Sequence, residues 1–410
     1  MGFVKTLGWR TPTTVLIAGC LIAAVGFGAR SSLGLFLEPM TNARGWTRET
    51  FGLALALQNL FWGLGLPVAG MLADKWGASR VIILGAIAYA IGLYLMGTAE
   101  SASLLYLSAG VLSGLGIAFS AFSLALAAMV RVVGPERRSL VLGLGTAAGS
   151  FGQVIFSPLA QSLIASMGWA SALTMLALIV LSMLPLAYLL PGKVTTQKDD
   201  PAIEQSLSDA LHEAFAHRGF LLLTSGFFVC GFHVAFIAVH FPAYVADLGL
   251  DPAIGAWSIS LIGLFNIAGS FMAGFIGQSW SKKYGLCIIY LARAVLITIL
   301  LLSPKTPEAI LGFAAGMGIL WLSTVPLTTG IIGQVFGIRY MATLFGIVFL
   351  SHQIGSFIGV WLGGALYDRT GSYDGMWWLG VVFGIAAAVI HLPINEKPLR
   401  RLAEPTPSAL

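Results

Sequence analysis

The chain has 410 residues, of which 57% are hydrophobic and only 10% charged, with a formal net charge of +5 at pH 7. Soluble domains carry about 25% charged residues, so this composition excludes a water-soluble globular protein and predicts a polytopic membrane protein. Three cysteines lie inside apolar segments without metal-type spacing, which predicts small buried side chains and no metal site: Cys20, Cys230 and Cys287.

Apolar segments divide the chain into twelve predicted spans. A helix rises about 1.5 Å per residue and a bilayer core is about 30 Å thick, so about 20 apolar residues can cross it. The predicted spans are 13–36, 51–73, 81–98, 104–130, 140–166, 169–190, 219–244, 253–277, 284–303, 307–335, 341–366 and 375–393. A long polar stretch, 191–218, follows the sixth span, and from Ile203 it is predicted to form a short amphipathic helix on the membrane surface.

The distribution of basic residues predicts the orientation. With the N-terminus placed in the cytoplasm, sixteen Lys and Arg residues fall on the cytoplasmic side and four fall in the outer loops. Cytoplasmic loops of membrane proteins carry an excess of Lys and Arg, so both termini are predicted to be cytoplasmic. Helical spans favour the inner membrane, because outer-membrane proteins are barrels.

The first predicted span carries a lone arginine, Arg30, in its second half. Such a charge at membrane depth costs about 3 kcal/mol or more, so it must face protein or water. All seventeen Asp and Glu residues lie in loops, tails or span ends. A bound carboxylate would relieve the cost through a bidentate pair, which makes Arg30 the candidate anion-binding residue. The alternative is that Arg30 reaches the interface or donates to carbonyls. Asn59, in the second span, is a further candidate contact, with hydrogen bonding between helices as the alternative.

The turn between spans two and three carries a recognisable motif. Residues 70–80 read GMLADKWGASR and resemble the signature of the major facilitator superfamily, with the matching positions Gly70, Asp74, Lys75, Gly77 and Arg80. The resemblance implies a tight cytoplasmic turn in which Asp74 caps a neighbouring helix or pairs with a base such as Arg131 or Arg137. Such a contact would latch the outward-open state, and a solvated turn is the alternative.

The two halves of the chain repeat. Three glycines around span five, 134, 143 and 152, recur 203 residues later, and the pair Gly70 and Trp76 recurs 204 residues later as Gly274 and Trp280. A parallel repeat of this kind places a transporter's site near the midplane between its halves. We therefore predict an all-α major facilitator fold, with one six-helix bundle at 1–190, a cytoplasmic linker at 191–218 and a second six-helix bundle at 219–410.

Within the superfamily, the chain is similar to the monocarboxylate and oxalate:formate branch. The similarity rests on the basic residue late in helix one, the twelve-span layout and the glycine-rich fifth helix. Members of that branch often carry an arginine in helix eight, where this sequence has the uncharged Asn266 and Ser270. The resemblance implies transport of a small organic anion. As a polar residue within span eight, Asn266 is a candidate contact, with hydrogen bonding between helices as the alternative.

The superfamily resemblance also implies that helices one, four, seven and ten line the cavity and that helix nine is peripheral. His233 and His240, in span seven, are seven residues apart and share one helical face. Histidine titrates near neutrality, so both are candidates for substrate contact or proton transfer, and core packing is the alternative. Arg293, in span nine, is predicted to pin a neighbouring helix, with a substrate role as the alternative.

Spans ten and eleven supply the remaining candidates. Pro326 removes a backbone hydrogen bond and kinks span ten, which predicts a gate beside three side chains on one face, Trp321, Thr324 and Thr328. In span eleven, the neighbouring His352 and Gln353 complete the predicted substrate-binding set.

The sequence contains no phosphate-binding loop, nucleophile elbow or metal-ligand cluster. We therefore predict no enzymatic activity, no cofactor and no nucleic-acid partner. The favoured function is a monomeric secondary transporter, in the bilayer, of a small organic anion such as a monocarboxylate, working by alternating access with a proton as the coupling ion. The alternatives are an exporter of lipophilic drugs or metabolites, and an anion sensor that signals through a partner.

Overall fold

A computed structural model describes residues 11–130, 132–133, 138–191, 205–399 and 402. The described residues form helices and turns, with no strand among them. Each predicted span overlaps one long helix, and in chain order these are α1 Pro12–Arg44, α2 Arg48–Trp76, α3 Ala78–Thr98, α4 Ala102–Val130, α5 Arg138–Met167, α6 Trp169–Leu189, α7 Arg218–Asp247, α8 Pro252–Ser279, α9 Lys282–Leu302, α10 Pro307–Phe336, α11 Met341–Thr370 and α12 Asp374–His391. Eleven of them are long and apolar enough to cross a membrane, and α5 is the twelfth long helix.

The polar segment between α6 and α7 contains the predicted amphipathic helix, at Leu207–Ala216. Ser206 and Asp209 form a capping box at its start, which satisfies two backbone donors that have no helical partner. Ala210 and Ala214 are buried, whereas Leu207 is exposed. Residues 192–204 of the predicted linker lie outside the described residues.

The end of the bundle that holds this segment is called the linker face. The opposite end, where α1 joins α2, α7 joins α8 and α11 joins α12, is the distal face. Near the linker face, Gly77 has φ of +91° and reverses the chain between α2 and α3. Residues that carry a side chain rarely adopt a positive φ, which explains why the motif requires a glycine there.

Two clusters of buried apolar residues form the core, one drawn mainly from α1–α6 and the other from α7–α12. The two groups of helices meet where α2 packs on α11 and α5 packs on α8. At the second contact, the side-chain amide of Gln153 donates to the Ile259 carbonyl at 2.9 Å, and the Ser260 hydroxyl donates to the Val154 carbonyl at 2.8 Å. The predicted domain boundaries at 190 and 219 remain a prediction.

Four of the long helices are interrupted, and two of these breaks are single residues, Ser32 in α1 and Ser182 in α6. Helix α4 breaks at Ser120, and α10 breaks over 321–323, between Pro307–Leu320 and Thr324–Phe336. The break in α10 comes directly before Pro326, which cannot donate to the carbonyl of Leu322 and whose ring clashes with that carbonyl. Main-chain groups around 320–322 therefore need partners from other helices.

Candidate anion-binding site

Arg30 lies in α1 just before a short 3₁₀ turn at Leu33–Phe36. Its Nη2 donates to Asn59 Oδ1 at 2.6 Å, and the Asn59 amide nitrogen donates to the Leu55 carbonyl at 2.8 Å. The second bond fixes the amide so that its oxygen faces the guanidinium. Within the described residues no carboxylate pairs with Arg30, and its buried Nε has no hydrogen-bond partner.

An aromatic ring supports the guanidinium from one side. The Arg30 carbon Cζ lies 4.5 Å from the ring centre of Trp62, which follows Asn59 by three residues on α2. Residues three apart share a helical face, so α2 presents an amide oxygen and a π-face to the same cation. The Trp62 ring in turn meets Phe349 of α11 edge-on, with 5.4 Å between the ring centres.

Two narrow cavities lie on either side of Arg30. One is enclosed by α1, α2 and α4, and its lining residues include Phe27, Trp62, Ser120 and Phe122. The other lies between α1, α2 and α7, and its lining residues include Gln58, Asn59 and Ala235. Both linings contain Arg30, and the rest of each wall is mostly apolar.

The structure brings His352 and Gln353 close to this site across the contact of α2 with α11. Gln353 Nε2 donates to the Asn59 carbonyl oxygen at 3.0 Å, and Gln353 Oε1 lies 3.1 Å from His352 Nδ1. Arg30, Asn59, Gln353 and His352 therefore form a continuous series of polar contacts from α1 through α2 to α11. Nothing in the sequence pattern joins residues that are almost 300 positions apart in this way.

The two histidines of α7 share one face, which points to other helices of the second half. His233 Nε2 is 2.8 Å from the Gly380 carbonyl of α12, and His240 Nε2 is 2.8 Å from the Val360 carbonyl of α11. His240 Nδ1 also meets the Tyr373 hydroxyl at 3.0 Å. Neither histidine lines the two cavities beside Arg30.

The break in α10 gathers several other candidates away from Arg30. Arg293 Nη2 donates to the Leu320 carbonyl at 2.7 Å and to the Trp321 carbonyl at 2.6 Å. These carbonyls end the first half of α10, where a cation is stabilised by the helix dipole. Asn266 Oδ1 accepts from the Leu322 N–H at 3.0 Å, and Asn266 Nδ2 donates to Ser150 of α5 at 2.9 Å.

Two threonines of α10 are also buried near this break. The Thr324 hydroxyl lies 3.2 Å from the Cys230 sulfur, and the Thr328 hydroxyl has no partner among the described side chains and main chain. Trp321 is buried as well, and none of these α10 residues lines the cavities beside Arg30. The structure therefore separates the predicted set into a group around Arg30 and a group around the α10 break.

The residues of the motif lie at the linker face. Asp74, Lys75 and Arg80 are exposed, whereas Gly77 is buried. The bases suggested as partners of Asp74, Arg131 and Arg137, lie outside the described residues. A Cβ added at Gly70 of α2 would meet no atom within 4 Å, and the same is true of Gly346 on α11.

At the distal face a polar cluster, absent from the sequence prediction, joins the two halves. Arg48 donates from Nη1 and Nη2 to the two carboxylate oxygens of Asp247, each at 2.6 Å. Asp368 of α11 accepts from the backbone N–H groups of Arg48 at 3.1 Å and Glu49 at 2.7 Å, and so caps α2 from the other half. We call Arg48, Glu49, Asp247, Asp368 and Tyr373 the distal latch.

Tyr373 completes the latch. Its hydroxyl accepts from Arg48 Nη1 at 3.0 Å, and burial raises the pKa of this phenol above its ordinary value. The hydroxyl therefore stays neutral and keeps its hydrogen bonds. The sequence signal for the latch was the presence of charges at span ends, but only the fold shows which of them meet.

Comparisons with known proteins agree with this architecture. A family model described as "Major Facilitator Superfamily" matches residues 19–282 and 223–409. Monocarboxylate transporter 13 from Bos taurus is 26% identical over 403 residues, covering 94% of this chain and 89% of the relative. The uncharacterised MFS-type transporter YcxA from Bacillus subtilis (strain 168) is 24% identical over 394 residues, covering 92% of this chain and 94% of the relative.

Solved structures share the fold at low sequence identity. A bacterial homologue of the human lysosomal transporter Spinster, in an inward-facing and unoccupied conformation, superposes with a TM-score of 0.73 and 16% identity, covering 94% of this chain and 97% of that one. A point mutant of the nucleoside transporter NupG gives a TM-score of 0.76 and 11% identity over 93% and 99% of the two chains. At these identities the likeness concerns the fold alone.

Proposed function

This chain belongs to the Major Facilitator Superfamily, and from that premise we propose that it is a secondary transporter of small monocarboxylates that works by alternating access. The predicted superfamily and its all-α fold are confirmed, and the chain is a multi-pass membrane transporter. The substrate class, the coupling and the mechanism are our proposals.

The observation that carries the proposal is the state of Arg30. Arg30 lines two cavities, and its guanidinium donates to a neutral amide and lies over a tryptophan ring, with no carboxylate paired to it among the described residues. A cation in a mostly apolar setting without a counter-ion is costly. An entering carboxylate would supply the missing negative charge and form charge-assisted hydrogen bonds.

A single negative charge fits this site better than two. The other arginine within a span, Arg293, donates to main-chain carbonyls at the α10 break and does not line either cavity beside Arg30. A second carboxylate would therefore enter without a cationic partner, at a considerable desolvation cost. The names of relatives such as monocarboxylate transporter 13 agree with this choice.

Alternating access requires contacts that close one face while the other opens. The distal latch holds the two halves together, whereas a Cβ added at Gly70 or Gly346, near the linker face, would meet open space. With both termini in the cytoplasm of an inner-membrane protein, as the basic residues predict, this arrangement is closed on the outer side. In the opposite state we expect the distal latch to break and Asp74 to close the linker face.

The test is uptake into proteoliposomes of radiolabelled pyruvate, lactate, formate and oxalate. The wild type should take up one of the monocarboxylates, and Arg30→Ala should reduce that uptake by at least tenfold, while Arg30→Lys retains part of it. Arg369→Ala is the matched control, because Arg369 is an exposed arginine at the distal end of α11. Undiminished uptake by Arg30→Ala would overturn the assignment.

An exporter of lipophilic drugs or metabolites is the second candidate. The mostly apolar walls of the cavity that includes Phe27, Trp62 and Phe122 favour it. If none of the four acids is taken up, the same proteoliposomes should be tested with lipophilic compounds. In that case transport should continue in Arg30→Ala, because no substrate charge needs the guanidinium.

A further inference from the structure

We propose that His352 of α11 binds the proton that enters with the anion, and that its protonation is coupled to anion binding at Arg30. The inference rests on the proposed transport of a carboxylate at Arg30. None of the seventeen acidic residues of the sequence falls in the interior of a predicted span. Histidine is the remaining side chain of the spans that ordinarily gains and loses a proton near neutral pH.

The three other histidines in the twelve long helices are held by main-chain carbonyls. His233 Nε2 lies 2.8 Å from Gly380 O, His240 Nε2 lies 2.8 Å from Val360 O, and His391 Nδ1 lies 2.7 Å from Ala387 O. A carbonyl oxygen only accepts, so each of these nitrogens already carries a proton and serves as a fixed donor.

The second nitrogens of the α7 histidines are poor sites for a further proton. His233 Nδ1 is buried and has no partner in the described part of the chain, so a proton there would be an unsatisfied donor. His240 Nδ1 meets the Tyr373 hydroxyl, which itself accepts from the Arg48 guanidinium. A positive charge on His240 would therefore form next to the cation of the distal latch.

His352 has a different environment, made of side chains. Its Nδ1 lies 3.1 Å from Gln353 Oε1 and 3.5 Å from the Ser356 hydroxyl, and the ring also interacts with the Cys230 thiol of α7. An amide oxygen only accepts, so Nδ1 carries the first proton and Nε2 is left to bind a second one. The Ser356 hydroxyl can rotate to suit either protonation state of the ring, which a main-chain carbonyl cannot do, while the Gln353 amide is held by its bond to the Asn59 carbonyl.

The series of amides links this histidine to the anion site. Gln353, which bonds to His352, also donates to the Asn59 carbonyl, and the Asn59 side chain holds Arg30. The rings of Trp62 and Phe349 stand between the two charges, with Phe349 stacked on the imidazole at 5.6 Å between ring centres and 9° between planes. The proton and the anion therefore occupy separate sites that share one hydrogen-bonded path.

The charges around His352 make the two binding events cooperative. The titratable or charged groups near it are Cys230 from α7, Arg293 from α9 and, beyond Trp62, Arg30 from α1. From α2 and α10 the nearby polar side chains are the uncharged Asn59 and Thr324. A proton on His352 adds a third positive charge to this region, and an anion on Arg30 cancels one of them. Each ligand must therefore raise the affinity for the other by the same factor.

The test measures uptake of labelled pyruvate from the external medium into proteoliposomes that contain His352→Gln or the matched control His391→Gln. An inward proton gradient of one pH unit should drive about tenfold accumulation in the wild type and in His391→Gln, since one proton carried per anion gives a factor of ten per unit. His352→Gln should lose the accumulation and, at equal pH on both sides, should exchange pyruvate with a weaker apparent affinity than the wild type. Accumulation by His352→Gln at the wild-type level would overturn the proposal.

A measurement on the wild type alone tests the proposal without requiring that His352→Gln folds. Calorimetric titration of the purified protein with pyruvate, in buffers of different ionisation enthalpy, should show uptake of about one proton per anion bound near neutral pH. Binding without proton uptake would refute the role of His352 and leave the carboxylate site intact. A different result would refute the proposed function itself: binding that does not distinguish carboxylates from other compounds, together with the same binding by Arg30→Ala as by the wild type.

Discussion

The distal latch allows a quantitative prediction about the two states of the transporter. Arg48 and Asp247 form a bidentate pair at 2.6 Å, with side chains 12% and 27% exposed. Hydrogen bonds between charged groups contribute about 1.5–3 kcal/mol each, and exposure of both partners reduces that contribution. We therefore assign the pair about 2 kcal/mol, so Asp247→Asn should shift the equilibrium between distal-closed and distal-open states by roughly 30-fold.

Spin-label distances would measure that shift. Labels at Ala43 and Ala253 report on opposite halves at the distal face, in a background where Cys20 and Cys287 are replaced by alanine and the buried Cys230 is kept. Asp247→Asn should increase the population with the longer distance. A double-mutant cycle with Arg48→Gln isolates the pair. A coupling below about 0.5 kcal/mol, or an unchanged distance distribution, would refute the reasoning.

Further predictions concern the rest of the core. Arg293→Leu should lower the free energy of unfolding by about 3 kcal/mol, as measured by thermal unfolding, because the carbonyls at the α10 break lose their donor. Arg293→Lys should recover part of this stability. Gly269→Ala should unfold at a lower temperature because its Cβ would overlap a carbonyl of α10, whereas the control Gly312→Ala, in open space, should not. Asn59→Asp should weaken monocarboxylate uptake at least tenfold, because its carboxylate would neutralise Arg30; unchanged uptake would contradict the site.

The sequence predicted the helices well because the length of an apolar run is set by the thickness of the membrane. The motif at 70–80 identified the superfamily, and the lone Arg30 marked the candidate site, because an unpaired charge is conspicuous in an apolar span. The seven-residue spacing of His233 and His240 correctly placed them on one face. It could not show that this face points to α11 and α12, because periodicity does not identify the neighbouring helix.

Contacts between distant parts of the chain were beyond sequence reasoning. Asp368 caps a helix that begins 320 positions earlier, and charges at span ends give no pairing information. Arg293 was predicted to pin a neighbouring helix, but its partners are main-chain carbonyls that become available only where α10 breaks. These contacts arise from the packing of the helices, so they follow from the fold and not from residue spacing.

The central claim is that Arg30 binds the carboxylate, and thermal unfolding of the purified protein with added acid tests it most directly. A ligand at about one hundred times its Kd stabilises the folded state by about 2.7 kcal/mol. Saturating pyruvate, lactate or formate should raise the unfolding temperature of the wild type and of Arg369→Ala, and should leave the unfolding temperature of Arg30→Ala unchanged. Equal stabilisation of Arg30→Ala and the wild type would contradict the central claim.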